Sequence, residues 1–219
     1  MQLHLKASVF ILLSLLSLAS TYSFAGRPLT VDDADVNEKG AGHVETFYQR
    51  GSGGTHSWTI SPAYGIFDGV EIAAAFNRDN TADVNTTSIQ AKIRLTDSKK
   101  DGCNFATSFG LSQTNIPDEG SSQFISGLMS CNMHEKVSVH LNLGLVRPPV
   151  GTRVGNWGIA YEREFGAMTG HVEFFGQENA QPTAQLGLRS MITKAIQLDG
   201  TVGSTNGEPV YSVGLKFVF

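Results

Sequence analysis

Val210-Tyr211-Ser212-Val213-Gly214-Leu215-Lys216-Phe217-Val218-Phe219 alternates, residue by residue, between two kinds of side chain. In an extended strand Tyr211, Val213, Leu215, Phe217 and Phe219 share one face, while Ser212, Gly214 and Lys216 share the other. The two faces must therefore meet different surroundings. The same rhythm returns upstream, most cleanly where Val137, Val139, Leu141, Leu143 and Leu145 oppose Ser138, His140, Asn142 and Gly144. Ile89, Ala91, Ile93 and Leu95 likewise oppose Gln90, Lys92 and Arg94, and Trp157, Ile159 and Tyr161 oppose Gly158, Ala160 and Glu162.

Working outward from these segments, twelve strands are expected: His43–Arg50, His56–Tyr64, Gly69–Asn77, Thr87–Thr96, Gly102–Ser112, Ser122–Cys131, Lys136–Val146, Gly155–Arg163, Thr169–Gly176, Thr183–Ser190, Ala195–Gly203 and Val210–Phe219. Segments of about ten alternating residues divided by turn residues are the pattern of a transmembrane barrel. The 24 glycines also favour short strands and tight turns over helices. A soluble barrel or sandwich alternates too, with its apolar side turned inward. Alternation alone leaves that choice open.

The ending resembles the C-terminal strand of bacterial outer-membrane β-barrel proteins, in which a terminal aromatic on an alternating strand is read by the barrel-insertion machinery. That resemblance gives Tyr211, Phe217 and Phe219 the role of insertion signal. The start of the chain agrees. Lys6, an apolar run from Ala7 to Ala19 and Ser23-Phe24-Ala25 make residues 1–25 a cleavable secretory signal. The apolar run is well short of the roughly 20 residues of a membrane-spanning helix.

The expected fold is therefore all-β: a closed antiparallel transmembrane barrel over residues 43–219, after a signal peptide at 1–25 and a solvated periplasmic lead-in at 26–42. Short connections after the even strands, such as Gly65–Asp68, Asp97–Asp101 and Glu164–Met168, place both termini in the periplasm. The connections Arg78–Thr86, Gln113–Ser121, Arg147–Val154 and Ser204–Pro209 would face outward, and none is long enough for a receptor lid or an adhesive head. The location implied is the bacterial outer membrane, with its lipids and the insertion machinery as partners. Without residues 1–25 the formal charge moves from −4 to −5, since that segment holds Lys6 and no acidic residue. There is no basic patch for nucleic acid. A mean hydropathy of −0.08 fits strands that bury only every second residue in lipid.

Gly26-Arg27-Pro28-Leu29-Thr30-Val31-Asp32-Asp33-Ala34, then Glu38-Lys39-Gly40 and Glu45, resemble the opening of an outer-membrane family, the meta-pathway of phenol degradation proteins. Tyr64-Gly65-Ile66-Phe67-Asp68 is similar to the turn that joins the second and third strands in that family. Val31 departs from the pattern, where threonine is common. The resemblance implies a barrel that moves small solutes, with aromatic or hydrophobic compounds as candidates.

Sorted by parity, the lumen face carries Glu45, Glu71, Glu162, Glu173 and Asp199 against Lys92, Arg94, Arg189 and Lys216, with His140 and His171 beside them. Its charge is nearly balanced. Glu71 and Lys92 are expected opposite one another, and Glu162, His171, Glu173 and Arg189 form one cluster on neighbouring strands. These charges either set the selectivity of a passage or pair into a closed wall. The function expected is passive passage of small solutes; the alternative is a structural or interaction barrel with a salt-bridged lumen and no transport. With strands about 4.8 Å apart and tilted about 40°, twelve strands give a backbone diameter of roughly 24 Å.

Chemistry beyond passage has little support. There is no His-Glu-x-x-His, no Cys-x-x-Cys and no Gly-x-Ser-x-Gly, so no metal, cofactor or enzymatic activity is expected. Asp32, Asp33 and Asp35 lack the glycine and distal glutamate of a calcium loop, which leaves them to the solvated lead-in. Cys103 and Cys131 fall opposite one another if 105 pairs with 129, 107 with 127 and 109 with 125. A disulfide then follows in an oxidising compartment, against the alternative of two free thiols.

Overall fold

The computed structural model describes residues 29–97 and 102–219, so the expected signal at 1–25 and part of the Asp97–Asp101 turn lie outside the described residues. Twelve strands follow one another: β1 Gly42–Arg50, β2 His56–Phe67, β3 Val70–Asp79, β4 Val84–Arg94, β5 Gly102–Thr114, β6 Ser121–His134, β7 Val137–Arg147, β8 Val154–Phe165, β9 Met168–Gln177, β10 Thr183–Met191, β11 Ile196–Thr205 and β12 Glu208–Val218. Each pairs with its sequence neighbours, and β1 pairs antiparallel with β12, closing the barrel. At the seam the N–H of Gly42 donates to the carbonyl of Phe219, and that of Phe219 to the carbonyl of Gly42, both at 2.9 Å. Closure leaves no strand edge unpaired.

Leu143, Val172, Val202 and Val213 are each more than half exposed on the outer surface. That is the reverse of a soluble barrel, which turns such residues inward, and it is the lipid-facing band of a membrane barrel.

Most strands run beyond the alternating segments, because turn-forming residues still extend the ladders. The β3–β4 connection, expected over Arg78–Thr86, shrinks to residues 80–83. There Asp79 Oδ1 accepts the N–H groups of Thr81 at 2.7 Å and Ala82 at 2.9 Å, and Asp83 takes a φ of 58°, a side-chain-stabilised reversal. The expected Tyr64–Asp68 turn is corrected in the same sense: β2 continues to Phe67 with a register shift between Gly65 and Phe67, and Asp68-Gly69 makes the reversal.

The register of the fifth hairpin is as expected, with 105 opposite 129, 107 opposite 127 and 109 opposite 125. Cys103 and Cys131 meet across it and are disulfide-bonded.

The lead-in is not solvated. Residues 29–41 turn back into the barrel, where Val31, Asp33, Ala34, Val36 and Asn37 are buried. Ala34 packs against Ala106 and Leu128 of the wall. The segment leaves the lumen over β2, where Lys39 bridges Gly65 and the N–H of Gly40 donates to the carbonyl of Gly65 at 2.9 Å.

Candidate functional site: the lumen and its internal segment

A chain segment crossing a barrel has no ladder to satisfy its backbone, and buried N–H groups left unpaired are costly. Here the wall supplies acceptors. Glu173 Oε2 accepts the N–H groups of Thr30 at 2.7 Å and Val31 at 2.9 Å. Asn142 accepts from Asp32 N at 2.7 Å through Oδ1 and donates through Nδ2 to the Asp32 carbonyl at 2.6 Å. Ser130 Oγ accepts from Ala34 N at 2.8 Å, and Glu71 Oε2 from Asn37 N at 2.9 Å. The segment also makes bonds within itself: Asp32 Oδ1 accepts from Asp33 N at 3.0 Å, and Asp33 Oδ1 from Asp35 N at 2.8 Å.

Lys92 is the cationic anchor. Its Nζ lies 2.8 Å from Asp32 Oδ1 and 3.4 Å from Asp33 Oδ1, and donates to the Asp35 carbonyl at 2.9 Å. Asp33 is 1% exposed, and its Oδ2 has no hydrogen-bond partner among the described residues. Asp33 lies outside the spanning strands, and its burial pushes the carboxyl up to about 7 in spite of Lys92 beside it.

Two wall glycines make room for this arrangement. A Cβ on Gly65 would fall 2.2 Å from the Glu38 carbonyl oxygen and 2.5 Å from that of Asn37. A Cβ on Gly158 would fall 2.6 Å from Val31 Cγ2.

The residues sorted to the lumen by parity do face inward, and Glu45, Glu71, Lys92, His140, Glu162, His171, Glu173, Arg189, Asp199 and Lys216 are all buried. Glu71 and Lys92 are direct cross-strand partners, as expected. The cluster on β8 to β10 divides. Arg189 binds Glu162 through two parallel bonds, Nη1 to Oε1 at 2.5 Å and Nη2 to Oε2 at 2.9 Å, and His140 Nε2 stands 3.4 Å from Glu162 Oε2. Glu173 instead takes Gln185 Nε2 at 2.7 Å and the internal segment, with His171 Nε2 3.6 Å away. Lys216 Nζ is 3.4 Å from Glu45 Oε1. Asp199 is the cross-strand partner of Arg189. Arg94 is half-buried at the end of β4, beside Gly69.

Above the segment the lumen keeps a cavity of about 790 Å³. Its upper wall carries uncharged polar side chains such as Gln49, Thr59, Gln90 and Asn156, with the rings of Phe47, Phe124 and Phe175 between them. Its floor is Val31, Asp32, Asp35 and Asn37 of the segment. Residues 29–37, with Ser130 and Gly65, are the part of the site that alternation did not assign, while Asn142 and Gly158 fell on the polar face without being singled out.

Residues 12–210 match the family described as Uncharacterised conserved protein UCP029691. The chain belongs to this family. No curated protein matches the sequence. Among solved structures the chain is similar to the KdgM porin, with 13% identity, a TM-score of 0.68, and 82% of this chain aligned to 99% of the porin. It is also similar to the NanC porin, with 12% identity, a TM-score of 0.63, and 80% of this chain aligned to 98% of that one. The outer membrane protein Omp33 of Acinetobacter baumannii aligns over 82% of this chain and 97% of its own, with 9% identity and a TM-score of 0.57. At these identities the likeness is one of fold: a closed barrel of the outer-membrane porin type.

Proposed function

We propose that this protein is an outer-membrane channel for small solutes, narrowed from within by its own N-terminal segment. The observation that carries the reading is the polar cavity of about 790 Å³ inside a lipid-faced barrel. A structural barrel has no need of such a cavity, and 300–1,000 Å³ is the size range of small-molecule sites. The KdgM porin has been solved in complex with disordered oligogalacturonate, which is a precedent for a solute inside a barrel of this fold. The start of β1 and the end of β12 lie at the same end of the barrel, and the reading puts that end in the periplasm.

Mechanistically, a solute entering from the opposite end loses water to a wall of amides and hydroxyls that replaces those hydrogen bonds, while Phe47, Phe124 and Phe175 offer apolar faces. The three rings keep aromatic compounds among the candidates raised by the phenol-family resemblance. The wall charges Arg189 and Glu162 neutralise one another to the side, which makes them structural on this reading.

Planar-bilayer recordings and solute uptake by loaded liposomes test the proposal. Discrete conductance steps and uptake of small sugars are expected. A purified, folded barrel that neither conducts nor admits any small solute, with and without residues 29–41, would establish the closed structural barrel instead.

A further inference from the structure

Seven ionised or ionisable groups of carboxylate and amine type face the cavity: Asp32, Asp33, Asp35, Glu45 and Glu71 against Lys92 and Lys216. The strands alone bring Glu45 and Glu71 against Lys92 and Lys216 to the cavity, and the internal segment is what unbalances it. Both amines are buried and already held by carboxylates, Lys92 by Asp32 and Asp33, Lys216 by Glu45. The two arginines of the lumen, Arg94 and Arg189, do not line the cavity, and Arg189 is committed to Glu162. With Asp33 counted as protonated, carboxylates still outnumber amines around the cavity. Of the three segment acids that line the cavity, Asp32 and Asp35 are less buried than Asp33.

We propose that the cavity admits cationic and neutral polar solutes in preference to anions, and that Asp32 and Asp35 of the N-terminal segment set this preference. The inference rests on the channel reading above. In a narrow passage with low-dielectric walls, a fixed excess of one sign raises the local concentration of the opposite sign and repels its own. The acidic excess is contributed by a segment that lies outside the strands, so charge selectivity is separable from the barrel. An anionic oligosaccharide of the kind bound in the KdgM complex is a poor match to this floor.

The test is reversal potential in a potassium chloride gradient, measured on the parent, Asp35→Asn and Asp32→Asn. Asp35→Asn is the cleaner variant, since Asp35 binds Lys92 through its backbone carbonyl rather than its carboxylate. The parent should show a cation-to-anion permeability ratio above one, falling toward one in Asp35→Asn and further in Asp32→Asn, with heat-modifiable migration confirming that each barrel is folded. In liposomes, glucosamine and glucose should enter faster than glucuronate. A conducting parent with a ratio below one, or a ratio unmoved by Asp35→Asn, overturns the selectivity proposal and leaves the channel standing. A folded parent that is silent overturns the channel reading and this proposal with it.

Discussion

Glu71 and Lys92 are direct cross-strand partners on β3 and β4, yet both reach away from the wall to the internal segment, Glu71 to Asn37 N at 2.9 Å and Lys92 to Asp32 at 2.8 Å. A pair that could have closed on itself instead clamps a third piece of chain. Lys92→Met should therefore release the segment, because removing one partner of a buried ion pair costs about 3–5 kcal/mol, while the ladders keep the barrel intact. Limited proteolysis is the measure: the variant should be cut between residues 29 and 41 where the parent is protected, with unchanged heat-modifiable migration. Equal protection in both would mean that Lys92 is not the anchor.

Gly65 and Gly158 give a second route to the same state through shape. Gly65→Ala would set a methyl 2.2 Å from the Glu38 carbonyl oxygen, and Gly158→Ala one 2.6 Å from Val31 Cγ2. The first contact is with backbone that cannot yield by a rotamer change, so Gly65→Ala should displace the segment more fully. Gly127→Ala is the control, as its nearest neighbour would be the Leu143 carbonyl oxygen at 3.9 Å. Single-channel conductance should rise above the parent in Gly65→Ala, rise less in Gly158→Ala, and stay at the parent level in Gly127→Ala.

The barrel was legible in the sequence because its two faces meet lipid and a polar lumen, which stamps a period of two on every strand. That is why Glu71 could be set against Lys92, and Cys103 against Cys131, from parity and turn centres alone. The internal segment follows no such rule. Residues 29–41 pair with side chains scattered over β3, β6, β7 and β9 rather than with a neighbouring ladder, and no local pattern encodes contacts 34 to 142 residues apart. Three aspartates near the N-terminus read as solvated because only the folded wall reveals Lys92 beside them. Gly158 carried the one available signal, as a glycine on the polar face of a strand, where close approach of another group is a recognised cause; Gly65 was hidden because it was expected in a turn.

Phe219 sits at the seam that closes the barrel. Its backbone exchanges two hydrogen bonds with Gly42, and its ring stacks on Phe217 with centroids 6.0 Å apart. Deleting Phe219 removes both bonds between β1 and β12 at that point, together with the aromatic ending that resembles an insertion signal. The variant should reach the outer membrane in reduced amount, measured as heat-modifiable protein in that fraction. Normal yield and migration would show that neither the seam bonds nor the terminal ring is needed for assembly.

Asp33 makes docking of the segment depend on pH, with a sign fixed by the direction of its shift. Its carboxyl titrates near 4 when exposed and is pushed up to about 7 when docked, chiefly by burial and in spite of Lys92. The docked state thus holds a proton over a range in which the undocked state has lost it. The stabilisation this provides is full below about 4 and is lost as pH rises through about 7. Around the carboxyl stand Lys92 from β4, His140 from β7, and Asp32 and Asp35 from the segment itself. Burial disfavours the ionised form most and the two aspartates add to it, while Lys92 and His140 favour it without overcoming burial. Protease cleavage between residues 29 and 41 should be slower at pH 5.5 than at pH 8, a test range that brackets about 7. Asp33→Asn keeps an uncharged side chain of the same shape, so it should flatten this dependence and hold the segment docked at both values. Cleavage that rises with pH equally in the parent and in Asp33→Asn would assign the effect to another group.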